Sequence, residues 1–272
     1  MSVINTNVNA LFSQNAMKVN ARAQSDAMRE LSTGSRINSA KDDAAGLAIG
    51  QSMTSQVRGL NMAIRNANDG INMMQTAEGA MVEQSNMLQR MRELAVQSAN
   101  GTYSSVQRGY MQTEFDELSS QIDDISANTE WNSLNLLDTA SADFDFQVGA
   151  DADQTITVTI GAMTVTNLSA SGDMDISSAS AAGTAIADLD SALEAINSQR
   201  ATIGAGINRL TYAADNLSNV SANISASKST VMDTDYASAS TQLSKTQIIQ
   251  QAATAMLAQA NQQPQSVLSL LK

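Results

Sequence analysis

The sequence contains neither histidine nor cysteine, the residue types that most often serve enzymes as general bases, thiol nucleophiles and zinc ligands. Acid/base chemistry would therefore depend on carboxylates alone. Neighbouring carboxylates of this kind are usually a helix start, a solvated face or a turn, and none has the spacing of an EF-hand calcium loop. We therefore expect no catalytic residue, no metal, no cofactor and no enzyme activity. The candidate pairs are Asp42 with Asp43, Asp123 with Asp124, Asp143 with Asp145, and Asp151 with Asp153.

Phosphate binding is equally poorly supported. No glycine-rich stretch ends in Gly-Lys-Ser/Thr, so Gly204 and Gly206 are interpreted as positions where helices pack closely. The net charge is -12 and the pI is near 4.3, which disfavours nucleic acid as a partner. No run approaches the roughly 20 apolar residues that span a bilayer, and residues 1–17 lack the cations of a signal peptide. We expect no membrane association and, if the protein is exported, a dedicated route.

The elements that position these residues are predicted to be long helices. Apolar side chains recur at alternating spacings of three and four in three separate stretches. The pattern predicts a mainly α fold, a long antiparallel helical bundle or coiled-coil rod formed by both halves of the chain. An ordinary helical core without any assembly role would account for the same pattern. The stretches are Val57 to Met74, Met111 to Ile125, and Ile186 to Val231.

The first helix is predicted from an apolar stripe that ends before Gly34, with Leu11 beside it. Residues 32–41 are predicted to be a linker. Ser39 with Asp42 resembles a capping box that opens the next helix. This second helix is predicted to continue to about Ser98, a length of roughly 85 Å. The stripe consists of Ile4, Val8, Phe12, Ala16, Val19, Ala23, Ala27 and Leu31.

The middle of the chain changes from helical to strand periodicity. Asn100-Gly101 predicts a turn into a returning helix over about residues 104–128. Alternating apolar residues between Phe144 and Ile160 then predict a small β-hairpin region at about 140–168, to which Met163 and Val165 would add a third short strand. Residues 169–183 are rich in Ser, Ala, Gly and Asp and predict a loop.

The last segment has an apolar stripe but no charged residue between Gln247 and Leu271. A solvent-exposed helix rarely lacks charge, so contact within a polymer explains this segment better than a simple core does. Pro264 is expected to kink or restart the helix after about Ala260, because proline removes an intrahelical hydrogen bond. The stripe includes Leu243, Ile249, Ala252, Ala253, Met256, Ala260, Val267 and Leu270.

Several motifs resemble bacterial flagellin. In the first half these are LSTGSRINSAKDDAAGLAI at residues 31–49, RNANDG at 65–70, QTAEG at 75–79 and LQRMRELAVQSAN at 88–100. RATIGAGINRL at 200–210 and MLAQANQQPQSVLSLL at 256–271 resemble the carboxyl-terminal signatures of the family. The resemblance covers both ends and most of the length.

The resemblance implies a subunit that polymerises into the extracellular flagellar filament, a propeller for swimming, and that leaves the cell through the flagellar export apparatus without a cleaved signal peptide. Residues 1–41 with 228–272 would form a terminal coiled-coil domain, and 42–227 the helical rod domain. The centre is too short for large outer domains. The residues expected to drive assembly and form its seam are Ile4, Val8, Leu11, Phe12, Val19, Ile249, Met256, Val267, Leu270 and Leu271.

The resemblance also implies partners. These are further copies of the chain, a sister flagellin, the hook–filament junction and cap proteins, an export chaperone, and a Toll-like receptor of innate immunity. The candidates for contact with neighbouring subunits, and also for contact with the receptor, are Gln89, Arg90, Leu94, Gln97 and Glu114. Two interpretations apply to the serines of the central loop: they carry O-linked glycans, or they simply form a solvated loop. These serines are Ser169, Ser171, Ser177, Ser178 and Ser180.

Two other classes of protein remain as alternatives. A chemoreceptor-like signalling hairpin shares long heptads, but its middle should be an uninterrupted helical tip. A carboxylate-only hydrolase would need a concave polar cleft, which the sequence does not indicate.

Overall fold

The computed structural model describes residues 6–138, 142–169 and 174–269. The chain forms two compact units, one of Met1–Ser55 with Asn223–Lys272 and one of Gln56–Ala222. The prediction of a mainly α fold with a small strand region in the middle is confirmed. The elements are α1 (Val8–Thr33), α2 (Ala44–Ala99), α3 (Ser105–Asn128), β1 (Glu130–Trp131), β2 (Leu134–Asn135), β3 (Ala142–Gln147), β4 (Thr155–Ile160), α4 (Val165–Leu168), α5 (Ala179–Met232) and α6 (Tyr236–Ser269).

Helix α3 returns antiparallel to α2, as the short turn at Asn100 predicts. A capping box opens α3: the backbone N–H of Gln107 donates to Ser104 Oγ, and the Gln107 side chain accepts from the Ser104 N–H. The Arg108 guanidinium donates to the carbonyl of Ser98 on α2, over 2.8 Å. Farther from the turn, Gln84 of α2 donates to Ser126 of α3, over 2.9 Å. The two helices therefore stay paired over their shared length.

Helix α5 also runs antiparallel to α2 within the unit of residues 56–222. Contacts pair Asp190 with Arg92, Arg200 with Glu78, and Ser221 with Asn61, so α2 numbers fall as α5 numbers rise. The core between the helices is built of large apolar side chains. Its fully buried members include Phe115, Met74, Met81, Leu88, Met91, Ile122, Leu189, Ile196, Ile203 and Leu210.

The predicted hairpin is confirmed in strands β3 and β4, which pair Phe144 with Val158. Its apolar face packs on the helices at two glycines. A Cβ atom on Gly70 of α2 would lie 2.7 Å from Phe146, and one on Gly206 of α5 would lie 2.9 Å from Val158. Close packing at Gly206 is confirmed, although the neighbour is the hairpin as well as a helix. For Gly204 the prediction is wrong, because no atom lies within 4 Å of such a Cβ.

Two local features differ from the sequence-based expectation. Strands β1 and β2 form a second, unexpected hairpin, whose turn residues Asn132 and Ser133 both have positive φ. The prediction of a third strand at Met163 and Val165 is wrong. Residues 165–168 instead form α4, and the backbone N–H of Val165 donates to Asp123 of α3 over 2.8 Å. This contact with α3 satisfies a backbone donor that a strand would have paired in a sheet.

Helix starts also differ in detail. The capping box expected from Ser39 and Asp42 is wrong, because the side chain that accepts from the first turn of α2 is Asp43, which bonds the Gly46 N–H over 2.9 Å. Asp42 instead accepts from the Ser39 hydroxyl in the preceding turn. The loop expected over residues 169–183 is shorter, since α5 begins at Ala179.

Candidate assembly surface

Helix α1 has a defined start and end. The Asn7 side chain is its N-cap and accepts from the backbone N–H of Ala10 over 3.1 Å. Gly34 ends the helix with a φ of 72°, and its N–H donates to the carbonyl of Glu30. Glycine is suited to this left-handed C-terminal position because it has no Cβ atom. The predicted stop at Gly34 is therefore confirmed.

Helix α1 packs against α6 within the unit of residues 1–55 and 223–272. The less exposed positions of both helices recur at alternating spacings of three and four, the pattern of a coiled-coil seam. Most seam side chains are small or polar. They are Ala10, Ser13, Met17, Asn20, Gln24, Ala27 and Leu31 on α1, and Ala239, Leu243, Thr246, Gln250, Ala253, Leu257 and Ala260 on α6.

Most of the larger apolar side chains of the pair lie on the outside, although Met17, Leu31, Leu243 and Leu257 lie in the seam. Phe12 is 69% exposed, although it is among the bulkiest side chains of α1. The predicted assembly residues share this exposure, so they lie outside the contact between α1 and α6. They include Val8, Leu11, Phe12, Val19, Ile249 and Met256, and Met28 and Ile248 are exposed beside them. We call this set the apolar stripe.

The remaining four predicted assembly residues lie nearer the ends of the chain. Val267 lies in α6. Ile4, Leu270 and Leu271 lie outside the described residues.

Two open grooves run along the apolar stripe on either side of Phe12. One, of about 560 Å³, is lined by Phe12, Val19, Ile249 and Lys245, among others. The other, of about 410 Å³, lies between Phe12 and Met256. A projecting aromatic side chain flanked by grooves is a surface that can interdigitate with another helix.

Helix α6 continues through Pro264 to Ser269, so the expected restart after Ala260 is wrong. Proline fits the backbone φ of a helix but leaves the carbonyl four residues earlier without its donor. That carbonyl belongs to Ala260, and it accepts a hydrogen bond from Asn7 Nδ2 over 2.8 Å. Sequence reasoning missed Asn7 and Asn20, because asparagines in an apolar pattern indicate the solvent face rather than a seam.

The two linkers that border α1 and α6 pair with each other. Ser35 and Asp233 form an antiparallel bridge, and the backbone N–H of Arg36 donates to the carbonyl of Met232 over 2.7 Å. Beside them, the hydrogen bond from the Ser39 hydroxyl, together with the backbone of Asn38 and the charge of Arg29, lowers the pKa of Asp42. The predicted linker is therefore an ordered, hydrogen-bonded segment.

The region expected to serve subunit packing or receptor contact divides by burial. Gln89, Arg90, Gln97 and Glu114 are exposed, whereas Leu94 is only 2% exposed and belongs to the core. Leu94 is therefore unavailable for a surface contact in the folded chain. Arg90 bonds Glu93 over 2.9 Å and bonds Glu114 over 2.9 and 3.0 Å. The hydrogen bond that Arg90 donates to Glu93, followed by those it donates to Glu114, raises the pKa of Arg90.

The serines considered for glycans are similarly divided. Ser169 is 6% exposed, which does not suit a glycan acceptor, and Ser171 lies outside the described residues. Ser177, Ser178 and Ser180 are exposed. The hydroxyl of Ser178 accepts from the Ala181 N–H at the start of α5, and Ser180 lies inside that helix rather than in a loop.

Other classes of site find little support in the described residues. Among them, no three acidic side chains cluster in a way that could hold a metal ion. Likewise, none of the helices in the described part of the chain is both long and apolar enough to cross a membrane.

Comparison with known proteins accounts for most of the chain. Residues 4–142 match the family model of the bacterial flagellin N-terminal helical region, and residues 186–271 match that of the C-terminal helical region.

Similar relatives extend the match over the whole length. A flagellin of Halalkalibacterium halodurans is 42% identical, with 99% of this chain and all of the relative covered. A flagellin of Bacillus subtilis is 40% identical, with 99% of each chain covered. The crystal structure of Bacillus cereus flagellin is 32% identical with a TM-score of 0.50, and the match covers 56% of this chain and 88% of that one.

Proposed function

Because the chain belongs to the bacterial flagellin family and is a structural subunit of the flagellar filament, we propose that its α1/α6 pair drives polymerisation. The observation that carries this proposal is the apolar stripe. Large apolar side chains of both terminal helices are left in solvent, while most side chains in the seam between the helices are small or polar. Neighbouring subunits would cover the stripe.

The energetics are of the size that reversible assembly requires. Burying one large apolar side chain contributes about 1.5 kcal/mol, so the six exposed residues of the prediction give roughly 9 kcal/mol per subunit. Association costs roughly 4 to 15 kcal/mol in lost freedom. Contacts repeated along a polymer would therefore make the net free energy of association favourable where a single contact would not.

The contacts are proposed to be heterologous, with the stripe of one subunit on a different surface of the next. Such contacts build an open helical filament when the rotation between subunits does not close a ring. The absence of charge from residues 247–269 favours this arrangement, because close packing would otherwise bury unpaired charges.

A matched pair of substitutions tests the proposal. Leu11 on α1 and Leu134 on β2 are exposed to similar extents, 51% and 55%. Leu11→Gln should raise the critical concentration for polymerisation about tenfold, since the lost burial of about 1.5 kcal/mol corresponds to that factor. Leu134→Gln should leave it unchanged. Pelleting and electron microscopy over a concentration series measure both.

The comparison between the two variants decides the proposal. Circular dichroism should show both subunits folded as the unmodified chain is, because each side chain is already exposed. If Leu134→Gln impaired polymerisation while Leu11→Gln did not, the α1/α6 pair would not be the assembly surface.

Further parts of the function are proposed from family membership. We propose that the filament ends contact cap and hook–filament junction proteins, and that the unassembled subunit meets an export chaperone on its way through the flagellar export apparatus. A sister flagellin would share the same stripe. The chain is proposed to have no enzyme activity and no nucleic-acid or membrane partner, and its strong acidity supports the exclusion of nucleic acid.

We propose the exposed side chains Gln89, Arg90, Gln97 and Glu114 as the surface for both subunit packing and a Toll-like receptor. The ion pair between Arg90 and Glu114 supports this by holding adjacent helices in one polar surface. Exposed Ser177, Ser178 and Ser180 fit a solvated segment without requiring glycans. A signalling hairpin finds no support, since the hairpin of β3 and β4 interrupts the helical pattern.

A further inference from the structure

Two asparagine side chains of α1 donate hydrogen bonds to main-chain carbonyls of α6. Asn7 Nδ2 lies 2.8 Å from the carbonyl oxygen of Ala260, and Asn20 Nδ2 lies 2.8 Å from that of Thr246. Asn20 also donates to Gln250 Oε1 over 3.1 Å. Asn20 and Thr246 are 8% and 1% exposed, so this second contact is inside the seam.

The acceptor at Ala260 exists because of a proline. In a regular helix the N–H of residue 264 would donate to the carbonyl of residue 260, but Pro264 has no N–H. The carbonyl is left free within a continuous helix, and Asn7 supplies the missing donor. The same side chain caps α1 through its oxygen, so one asparagine serves both helices.

The two contacts agree on one alignment of antiparallel helices. Asn7 and Asn20 are 13 residues apart on α1, and their acceptors are 14 residues apart on α6 in the opposite direction. This spacing corresponds to about two heptads, over which a coiled-coil seam keeps the same face toward its partner.

The apolar residues of the seam discriminate poorly between alignments. Shifting α6 by one heptad places Ala260 instead of Ala253 opposite Ser13, and Thr246 instead of Ala239 opposite Ala27, so small residues still face small residues. A shift would, however, move the freed carbonyl of Ala260 away from Asn7 and the Gln250 side chain away from Asn20. Buried polar groups that lose their partners oppose the shift.

We propose that Asn7 and Asn20 set the register of α1 on α6, with Pro264 creating the acceptor that Asn7 recognises. The register decides which residues of the two helices share the outer face, including Phe12 and Met256. Its consequence for polymerisation rests on the proposed function, but the register itself concerns contacts within one subunit.

Engineered disulfides can report the register, since the chain has no cysteine of its own. Counting one heptad along each helix from the contact of Asn20 with Thr246 places Ser13 of α1 opposite Ala253 of α6. A shift of one heptad would bring Ala260 opposite Ser13 instead. The aligned reporter is therefore S13C with A253C, and the shifted reporter is S13C with A260C. Both leave the side chains of Asn7, Asn20, Gln250 and Pro264 intact.

The full chain is polymerised in a glutathione buffer, and intramolecular disulfides are quantified by mass spectrometry after the filaments are dissolved. The aligned reporter should exceed the shifted one about tenfold, the discrimination expected from the loss of one to two hydrogen bonds. Equal yields in the otherwise unmodified chain would overturn the proposal.

Substitution of the two asparagines should remove the preference. Asn7→Ser retains a capping oxygen but cannot reach α6, and Asn20→Leu fills the seam with an apolar side chain. With both changes the ratio of aligned to shifted disulfide should fall to within about twofold of one, since the discriminating hydrogen bonds are gone. An unchanged ratio would contradict the proposal.

A second variant guards against simple unfolding of the terminal helices. Pro264→Ala restores the N–H that bonds Ala260, so α6 should become a better helix by circular dichroism while the disulfide ratio falls. A purely stabilising role of Asn7 predicts the opposite, because a better helix would pair more firmly. A ratio that stays the same or rises in Pro264→Ala overturns the role assigned to Asn7.

The register assay and the assembly assay fail independently. Disulfide ratios are measured within filaments that have formed, whereas the proposed function is tested by the critical concentration of Leu11→Gln. A correct register with unaffected polymerisation in Leu11→Gln would reject the assembly surface alone.

Discussion

The terminal pair of α1 and α6 and the bundle of residues 56–222 distribute their side chains in opposite ways. In the bundle Phe115 is 1% exposed, whereas Phe12 on α1 is 69% exposed. The bundle has buried most of its large apolar side chains by folding alone. In the terminal pair folding buries mainly small and polar residues, so much of the hydrophobic driving force is left for association.

The two regions are alike in one respect, since each contains a buried amide side chain bonded to main-chain carbonyls. In the bundle Gln84 donates to the carbonyls of Ile122 and Met163 and so joins α2 to α3 and to the segment before α4. Asn20 has the corresponding position in the terminal pair. Buried amides thus specify an alignment in both regions, whereas the location of large apolar residues distinguishes them.

The largest effect is expected from a charge placed inside the bundle. Leu210→Asp would lose about 2 kcal/mol of burial and add several kcal/mol of carboxylate desolvation, a large part of the 5 to 15 kcal/mol that stabilises a domain. We expect loss of cooperative folding in circular dichroism melts. The matched change Phe12→Asp should leave the soluble subunit folded and abolish pelletable filaments. A folded Leu210→Asp chain would show that the bundle does not depend on this position.

A smaller effect is expected from cavities at the two phenylalanines. Phe115→Ala should lower the free energy of unfolding by about 3 to 5 kcal/mol, because it leaves a void in a close-packed core. Phe12→Ala should change it by no more than about 0.5 kcal/mol, as is usual at exposed sites. Denaturant titrations of both soluble chains measure the difference. Equal costs would mean that Phe12 is covered within the single subunit.

The smallest effect concerns pH, where the two regions should behave alike. The hydrogen bond from Arg92 lowers the pKa of Asp190 in the bundle, as the Ser39 hydroxyl does for Asp42 in the terminal unit. A lowered folded-state pKa contributes stability above the unfolded value of about 3.9 and loses it as the pH falls through the folded-state pKa.

Asp190→Asn should therefore make the acid loss of stability shallower, with little change in the melting temperature at neutral pH, because surface ion pairs contribute little. Thermal melts from pH 2 to pH 7 would measure this. A steeper acid loss in Asp190→Asn would contradict the assigned sign.

The amino-acid sequence determined the features that depend on local periodicity and turn chemistry. The seam of α5, the turn at Asn100, the stop at Gly34 and the alternation that forms β3 and β4 all follow from residues close together in the chain. The absence of charge from residues 247–269 pointed to the apolar stripe, because a helix without charged residues is rarely left exposed to solvent and is expected to be covered by another protein surface. The motifs that resemble flagellin located both terminal segments.

Tertiary structure decided which of two possible faces of α1 meets α6. Periodicity places Phe12 and Val19 on one face and Ser13 and Asn20 on another, but it does not say that the second face is the internal seam. The choice depends on donors and acceptors more than 200 residues apart, such as Asn7 and the carbonyl freed by Pro264. The same holds for α4, whose start depends on Asp123. Local patterns cannot encode such pairs, since the donor and the acceptor can form their hydrogen bond only after the fold has brought them together.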